Sequence, residues 1–395
     1  MKNILDMSIN EMADIEFDCS CGRHHKLDIK HISIGSGVLP DILKMAEPFK
    51  GRKVFMLSDD NTFAAAGERT LQLLQEDGHD IKSFTFHTGK DILIPDEKAL
   101  GRLFMELEPG TGLIVSVGSG TLNDLGKYMS ARTGIPYIIV CTAPSMDGYA
   151  SDGAPMICDG FKISFIGTLA YGIVGDTDIM KDAPMHMIHA GFGDVVGKLT
   201  ALADWRLARE KAGDHYCETC AVLVERALQK VTENAEAIGR RDEQGIAYLI
   251  EALTLTGVAM GLVGYSRPAS GAEHALSHFW EMRYIAEGRF PELHGIKVGL
   301  ATPVIAELFH MMKEDVPACA MEICPTREEV EALLQAAGAP VDPLAIGIER
   351  ELFYESLMKS YNVRKRYSIL QLGLDTGRLE ACARQITDRI YGQEE

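Results

Sequence analysis

The first 180 residues alternate short apolar runs with amphipathic segments. Apolar runs at 54–58, 81–87, 112–117 and 137–141 predict strands, and 158–165 and 171–175 predict two more. Helical periodicity separates them over 62–76, 96–108 and 121–132. Strands alternating with helices at this spacing indicate βαβ units, and the β-branched runs suit strands that are covered on both faces. We therefore expect an α/β, Rossmann-like N-terminal domain with a parallel sheet.

From about residue 187 onward the pattern changes to that of long helices. Helices are predicted over 201–212, 220–237, 242–262, 271–287, 295–312, 328–337, 343–360 and 378–391. The change of pattern places the domain boundary near 178–184. We expect an α/β domain over 1–180 and an all-α domain over 181–395, with the active site in the cleft between them.

Charge and composition narrow the class of partner. The chain has 39 Lys and Arg against 57 Asp and Glu, a net charge of −18, which argues against nucleic acid or an anionic membrane. The N-terminus has an early acid and no apolar core, so we expect no targeting peptide. The sequence contains no run of 18 apolar residues, so we expect no integral membrane segment. Nine cysteines without a secretory signal predict reduced thiols in the cytoplasm.

Three segments at predicted strand ends could bind a nucleotide. The turn VGSGTLND at 117–124 combines glycines with the start of a helix, where backbone N–H groups attract phosphate. Asp59 and Asp60 end a strand and could bind ribose hydroxyls. The polar loop 142–154 follows another strand. The alternatives are a plain βα turn capped by Thr121 or Ser119, a helix cap, and a surface loop.

A second group of residues has the chemistry of a metal site. Asp194 ends the segment GFGD, His274 and His278 share one helix face, and His294 begins the segment HGIKVG. Three Asp and His ligands with an open position are typical of a catalytic divalent ion. Spacing alone does not select which histidines bind, and each could instead be an ordinary core or surface residue.

Five segments together carry a family resemblance. GSGTLND, TAPSMDGYASDGA, GFGD, SRPASGAEHALSH and LHGIKVG resemble the sn-glycerol-1-phosphate dehydrogenase family, within the superfamily of metal-dependent polyol dehydrogenases and 3-dehydroquinate synthases. The motifs stand in the family's order and span about 59–299. Ser119 departs from the family, which commonly has a third consecutive glycine there. A backbone N–H is still present, so we expect a small effect.

The resemblance implies a role for each motif residue. It implies NAD(P) contacts at Asp59, Gly118, Ser119, Gly120, Thr121, Leu122, Thr142, Ser145 and Ser151. It implies a substrate contact at Asp147, metal ligands at Asp194, His274 and His294, and catalytic and substrate contacts at Asp194 and His278. The implied reaction is the reversible reduction of dihydroxyacetone phosphate to sn-glycerol 1-phosphate. The Asp–His–His set suits Zn²⁺ best, and Ni²⁺ or Fe²⁺ nearly as well.

Two further expectations concern the ligands. The acids at 59 and 60 would repel a 2′-phosphate, so we expect NAD(H) to be preferred and NADP(H) to be accepted as well. Arg267 lies in a Ser-Arg-Pro turn seven residues before His274, and it could bind the substrate phosphate. The alternative for Arg267 is an ion pair at the surface. We also expect a homo-oligomer.

Other functions remain open at this stage. A 3-dehydroquinate synthase-like lyase would hold a larger anionic substrate with several basic residues, and only Lys127, Lys162, Arg267 and Lys297 lie near the motifs. A glycerol or polyol dehydrogenase would act on an unphosphorylated substrate. A nucleotide-sensing protein without metal would not need the Asp and His set.

Two cysteine segments stand outside the motifs. Cys19-x-Cys21-Gly-x-His24-His25 could form a small metal knuckle, but one cysteine pair without a second nearby favours a solvent-facing hairpin. Cys217 and Cys220 fall in a helical pattern and are interpreted as buried thiols. The segment from residue 328 onward shows no motif.

Overall fold

The centre of the N-terminal half is a six-stranded parallel sheet. The computed structural model describes residues 3–89 and 91–393. Its strands are β1 Glu16–Asp18, β2 His24–Lys26, β3 His31–Gly35, β4 Lys53–Asp59, β5 Asp80–Phe86, β6 Thr111–Gly118, β7 Tyr137–Cys141, β8 Gly153–Cys158, β9 Phe161–Ile166 and β10 Gly172–Asp176. The sheet order is β3-β10-β7-β6-β4-β5, which confirms the parallel α/β expectation. Two hairpins, β1–β2 and β8–β9, are antiparallel.

The register of the sheet brings three loops to one edge. Gly118 at the end of β6 pairs with Cys141 at the end of β7. The pairing of Leu57 with Ser116 puts Asp59 level with Gly118. Both faces of β6 and β7 are buried, which explains their continuous apolar runs. Ligands of open α/β sheets bind outside these carboxyl ends, so the sheet positions the candidate nucleotide loops.

Helices cover the sheet and form the second half of the chain. They are α1 Ile42–Ala46, α2 Asp60–Thr62, α3 Glu68–Glu76, α4 Glu97–Glu106, α5 Gly120–Thr133, α6 Thr177–Met180, α7 Met185–Val196, α8 Lys198–Ala212, α9 Glu218–Thr232, α10 Ala235–Gly239, α11 Glu243–Val263, α12 Ala272–Ala286, α13 His294–Met311, α14 Ala318–Met321, α15 Arg327–Ala336, α16 Arg350–Lys359, α17 Ile369–Asp375 and α18 Leu379–Tyr391. After β10, every element that the structure describes is helical, as expected for the second half.

Several predicted boundaries are wrong for local reasons. The strand expected over 158–165 is present as β9 but begins only at Phe161, because Asp159 and Gly160 adopt positive φ and form the turn that joins it to β8. The helix expected over 220–237 breaks before Asn234, which starts α10. The helix expected over 343–360 begins only at α16, because Pro343 starts a separate 3₁₀ turn. The helix expected from residue 62 contains a π turn, Phe63–Gly67, before α3.

One long apolar helix belongs to the core. By length and composition alone, α11 could cross a membrane, with a mean hydropathy of 1.8 over its most apolar window. However, 78% of that window is buried inside the protein, where α11 packs on α7 and α9. Its own side chains Leu249, Leu253 and Val258 are fully buried, as expected for a helix that is apolar on all sides.

Candidate active site

Three helices bring the expected metal ligands together. Asp194 lies in α7, His274 in the first turn of α12, and His294 is the first residue of α13. One ligand atom from each lies within 4.8 Å of the others. Nε2 of His274 is 3.6 Å from Oδ1 of Asp194, and the Asp194 side chain is fully buried. The three residues expected to bind a metal ion therefore lie close enough together to share one.

Close backbone contacts at glycines place these helices. A Cβ at Gly191 would lie 1.8 Å from the carbonyl oxygen of Pro144. A Cβ at Gly295 would lie 1.8 Å from the carbonyl oxygen of Ala190, and one at Gly193 would lie 2.3 Å from that of Gly295. Only glycine allows such approaches. The segment GFGD therefore holds α7 against loop 142–152 and against the start of α13.

The tautomers of the histidines leave nitrogen lone pairs for a ligand. Nδ1 of His274 donates to Oε1 of Glu273 at 2.7 Å, and Glu273 also accepts from the Gly271 backbone N–H and the Thr200 hydroxyl. Nε2 of His274, 3.6 Å from Oδ1 of Asp194, is therefore the ring nitrogen that remains available to a metal ion. Nδ1 of His294 is buried without a hydrogen-bond partner among the described residues. Burial lowers the pKa of His294 well below its usual value, which keeps the ring neutral.

This donor set fits a divalent metal ion. Two neutral imidazoles and one carboxylate are the ligands that Zn²⁺ and similar ions take in catalytic sites. The bond from Glu273 to His274 is the outer-shell contact that fixes a metal-binding histidine. Nδ1 of His294 has no hydrogen-bond partner among the described residues, so the ring is not committed to another protein group through that atom.

A buried lysine balances two carboxylates beside the ligand set. Nζ of Lys198 donates to Oδ1 of Asp194 at 2.5 Å and lies 2.8 Å from Oδ2 of Asp147. Burial opposes the charge of Lys198, but the two carboxylates outweigh it and raise its pKa to about 12. Burial also opposes ionisation of Asp194, yet Lys198 holds the pKa of that carboxyl far below its usual range. Asp194 is therefore ionised, as a metal ligand must be.

Loop 142–152 brings the substrate candidate Asp147 to the same place. The backbone N–H of Asp147 donates to Oδ2 of Asp194 at 3.0 Å. The loop is fixed from below by the buried Lys127, whose Nζ donates to the carbonyl oxygens of Gly148 and Gly153. Burial and the neighbouring Asp194 carboxylate raise the pKa of Asp147. Asp147 and Asp194 thus form one hydrogen-bonded unit with Lys198.

His278 faces a basic group that sequence reasoning missed. Nη2 of Arg364 donates to Nε2 of His278 at 3.0 Å, and Nη1 donates to the hydroxyls of Ser266 and Ser270. The ring of His278 lies 5.4 Å from that of His294. Burial lowers the pKa of His278 to about 3, so the ring is neutral and accepts from Arg364. Arg364 lies in a segment without any motif, so no sequence signal pointed to it.

Arg267 is held differently from the expectation. Its guanidinium is buried, pairs with Asp214 and donates to the carbonyl oxygen of Tyr367. It lines a small pocket together with Arg364 and Arg366, and Ser270 and Ser368 are also in the wall. Arg267 therefore forms an ion pair, which was the alternative to phosphate binding. Arg364 is the arginine that contacts His278.

The expected nucleotide residues meet at the carboxyl edge of the sheet. Ser119 precedes α5 but does not cap it, because its hydroxyl lies 2.5 Å from that of Ser145. The first backbone N–H groups of α5, from Gly120 to Leu122, are thus left without a side-chain cap, as a phosphate site requires. Thr142 begins the adjacent loop, and its N–H donates to Gly118. Ser151, further along, donates to the carbonyl oxygen of Gly148.

The two acids after β4 have partners of their own. Asp59 caps the following helix, because its Oδ1 accepts from the backbone N–H of Thr62 at 2.8 Å. Asp60 accepts from the N–H groups of Thr88 and Gly89 and pairs with His87. The carboxylate of Asp60 therefore bonds to the loop after β5, whereas Asp59 lies level with the Gly118–Leu122 turn.

The chain is similar over most of its length to characterised proteins. It is 33% identical over 386 residues to glycerol-1-phosphate dehydrogenase of Halalkalibacterium halodurans, an alignment that covers 92% of this chain and 96% of that protein. The chain belongs to the glycerol-1-phosphate dehydrogenase family. It is 36% identical over 264 residues to the Thermococcus kodakarensis protein of the same name, covering 67% of this chain and 70% of that one. The resemblance of the motifs is thereby confirmed.

Comparisons of family models and structures agree with this membership. A model of the iron-containing alcohol dehydrogenase family matches residues 33–184. A probable glycerol dehydrogenase from Sinorhizobium meliloti 1021 has the same fold, with a TM-score of 0.67 at 19% identity, covering 90% of this chain and 97% of that one. This member of the glycerol-1-phosphate dehydrogenase family is thus an enzyme, an oxidoreductase of the NAD(P)-dependent class.

Proposed function

We propose that this dehydrogenase catalyses the reversible, NAD(P)-dependent reduction of dihydroxyacetone phosphate to sn-glycerol 1-phosphate. The observation that carries the proposal is the convergence of Asp194, His274 and His294 beside Arg364, in a chain whose relatives are named for this substrate. Asp147, Asp194 and His278 are the proposed substrate contacts, with Asp194 and His278 next to the reacting atoms.

The chemistry requires a hydride donor and a polarised carbonyl. A bound nicotinamide would supply the hydride, and a divalent ion held by Asp194, His274 and His294 would act as a Lewis acid. The chain's own groups prepare this site. Glu273 orients His274, and Lys198 keeps Asp194 ionised while offsetting the charge of Asp147. Zn²⁺ suits this set best by ligand type, with Ni²⁺ and Fe²⁺ as the alternatives.

The basic pocket favours a phosphorylated substrate. Arg364 can reorient its hydrogen bonds from Ser266 and Ser270 to a phosphate, because both hydroxyls are neutral acceptors and a phosphate accepts more strongly. Arg366 lines the same pocket and adds positive charge. An unphosphorylated polyol would leave this charge without a partner.

The nucleotide is proposed to lie along the carboxyl edge of the sheet. Its pyrophosphate would accept hydrogen bonds at the start of α5, from the Gly118–Leu122 turn, where Ser119 leaves the amides uncapped. Thr142, Ser145 and Ser151 line the adjacent loop. Asp59, level with that turn, would bind the ribose, and its charge favours NAD(H) over NADP(H).

The remaining expectations are part of the same proposal. The domains are taken as residues 1–180 and 181–395, and the enzyme is proposed to be cytoplasmic and a homo-oligomer. None of the nine cysteines is in a disulfide.

A side-by-side assay of two ketones tests the proposal. Oxidation of NADH is followed with dihydroxyacetone phosphate and with dihydroxyacetone, and the product of the first is analysed for chirality. We expect the phosphorylated ketone to be reduced far faster, because phosphate binding energy can be used for orientation. Equal rates would indicate a polyol dehydrogenase, and sn-glycerol 3-phosphate as the product would refute the assignment.

A further inference from the structure

We propose that Cys19, Cys21, His25 and Cys217 bind a structural zinc ion that fastens the N-terminal hairpin to the helical half of the chain. The thiol sulfurs and a ring nitrogen of these residues all lie within 4.8 Å of one another. The set shares no residue with the candidate active site. It also corrects the expectation of a solvent-facing hairpin, because His25 is only 1% exposed and both hairpin cysteines are half-buried.

The β1–β2 hairpin presents its two thiols from one tight turn. The N–H of Gly22 donates to the carbonyl oxygen of Cys19, and the N–H of Cys19 donates to that of Arg23, each at 3.0 Å. Gly22 has φ +84°, in the left-handed region that favours glycine. The turn therefore holds Cys19 and Cys21 as a pair on the side that faces the helices.

The histidine of the set is oriented as in known metal sites. Nδ1 of His25 lies 2.6 Å from the carbonyl oxygen of Leu262, near the end of α11. A carbonyl only accepts, so Nδ1 carries the proton and Nε2 keeps its lone pair. Nε2 lies 3.3 Å from the sulfur of Cys21 and 3.4 Å from that of Cys217. A backbone carbonyl behind a histidine is the outer-shell contact that metal-binding histidines use.

The fourth member comes from a distant part of the chain. Cys217 is buried at the N-cap of α9, a 15-residue helix, and its sulfur is 3.7 Å from that of Cys19. His25 and Cys217 are 192 positions apart in the sequence, so no local motif links them.

Three of the six distances within the set match the edges of a tetrahedral zinc site, and the others lie within 4.8 Å. With Zn–S bonds of about 2.3 Å, two sulfurs at tetrahedral positions lie about 3.8 Å apart, and a sulfur and a nitrogen about 3.5 Å apart. The observed contacts of 3.7, 3.3 and 3.4 Å match these edges. A disulfide would need sulfurs at about 2 Å. Three thiolates and one imidazole form a closed Cys₃His set, which is typical of structural zinc rather than catalytic zinc.

Metal content in variants separates this site from the active site. His294→Ala removes a catalytic ligand and leaves the Cys₃His set intact, so we expect that variant, expressed in zinc-supplemented medium, to retain close to one zinc per chain by elemental mass spectrometry. Adding Cys21→Ser to it should remove the remaining zinc. The matched control adds His24→Ala, a neighbouring exposed histidine bonded to Asp18, and should keep the zinc.

A second measurement covers the case in which the cysteine variant does not fold. Wild-type protein is loaded with Co²⁺, and a thiol-specific mercurial is then added under reducing conditions. We expect intense thiolate-to-cobalt charge-transfer bands that the mercurial abolishes, and a lower midpoint of thermal unfolding afterwards. Absence of thiolate bands, a zinc-free His294→Ala protein, or a Cys19–Cys217 disulfide found by mass spectrometry would each overturn the proposal.

Discussion

Replacing Arg364 tests the phosphate pocket directly. In Arg364→Ala, the guanidinium that contacts His278, Ser266 and Ser270 is lost. If the same guanidinium binds the substrate phosphate, the variant loses two charge-assisted hydrogen bonds in the transition state. Unphosphorylated dihydroxyacetone makes no use of these two bonds, so its reduction should lose only what the missing contact with His278 costs.

The size of the effect follows from the contacts that are exchanged. Each charge-assisted hydrogen bond to a phosphate contributes about 1.5–3 kcal/mol, and each bond to a serine hydroxyl that is given up contributes about 1 kcal/mol. The net loss is therefore about 1–4 kcal/mol. At about 1.4 kcal/mol per tenfold change, kcat/KM for the phosphorylated ketone should fall roughly 5- to 700-fold.

Steady-state assays with both ketones measure this loss, and Arg267→Ala is the matched control. Arg267 is occupied by Asp214 and the Tyr367 carbonyl, so its removal should lower stability and affect both ketones alike. Arg364→Lys should recover only part of the activity, because an ammonium cannot form the bidentate contact. Equal losses with both ketones in Arg364→Ala would refute a phosphate role for this residue.

Three further outcomes are expected. Removal of metal by a chelator should abolish activity, and addition of a divalent ion should restore it. The His294→Ala variant should lose the active-site metal and keep its circular dichroism spectrum. Full activity in verified metal-free protein would contradict the metal site. Glu273→Gln should weaken metal affinity about 10- to 100-fold, measured by competition with a chelator, because His274 loses its acceptor carboxylate. In Asp59→Ser, the serine hydroxyl can still accept the helix-capping bond from the N–H of Thr62. The ratio of kcat/KM for NADH to kcat/KM for NADPH should fall about tenfold. An unchanged ratio would exclude Asp59 from the ribose site.

The fold was predictable where the pattern was local. Strands β4, β6 and β7 are buried on both faces, and their unbroken apolar runs mark them clearly. Predicted boundaries are wrong where one residue pair changes the geometry, as at Asp159 and Gly160, whose positive φ forms a turn at the start of a predicted strand. Apolar periodicity does not carry that information, whereas the Asp-Gly dipeptide does.

Only the site residues that lie in recognisable motifs could be predicted from the sequence. Asp194, His274 and His294 could be grouped by a family pattern and by ligand chemistry. Lys198, Arg364 and Cys217 carry no motif, and long-range packing alone brings them to their partners. Burial of a lysine between two carboxylates is a property of three elements together, so no single segment of sequence displays it.

The backbone contacts at Gly191 and Gly295 have a consequence for how this protein can vary. A methyl group at either position would overlap a carbonyl oxygen that belongs to a neighbouring element. Relief would require α7 to move away from loop 142–152 or from α13, and each movement also displaces Asp194 from its partners. These two residues have no side-chain chemistry, yet substitutions there should be tolerated no better than substitutions of the metal ligands. A saturation-mutagenesis map scored by activity would therefore show an intolerant backbone seam running through Gly191 and Gly295, beside the ligands themselves.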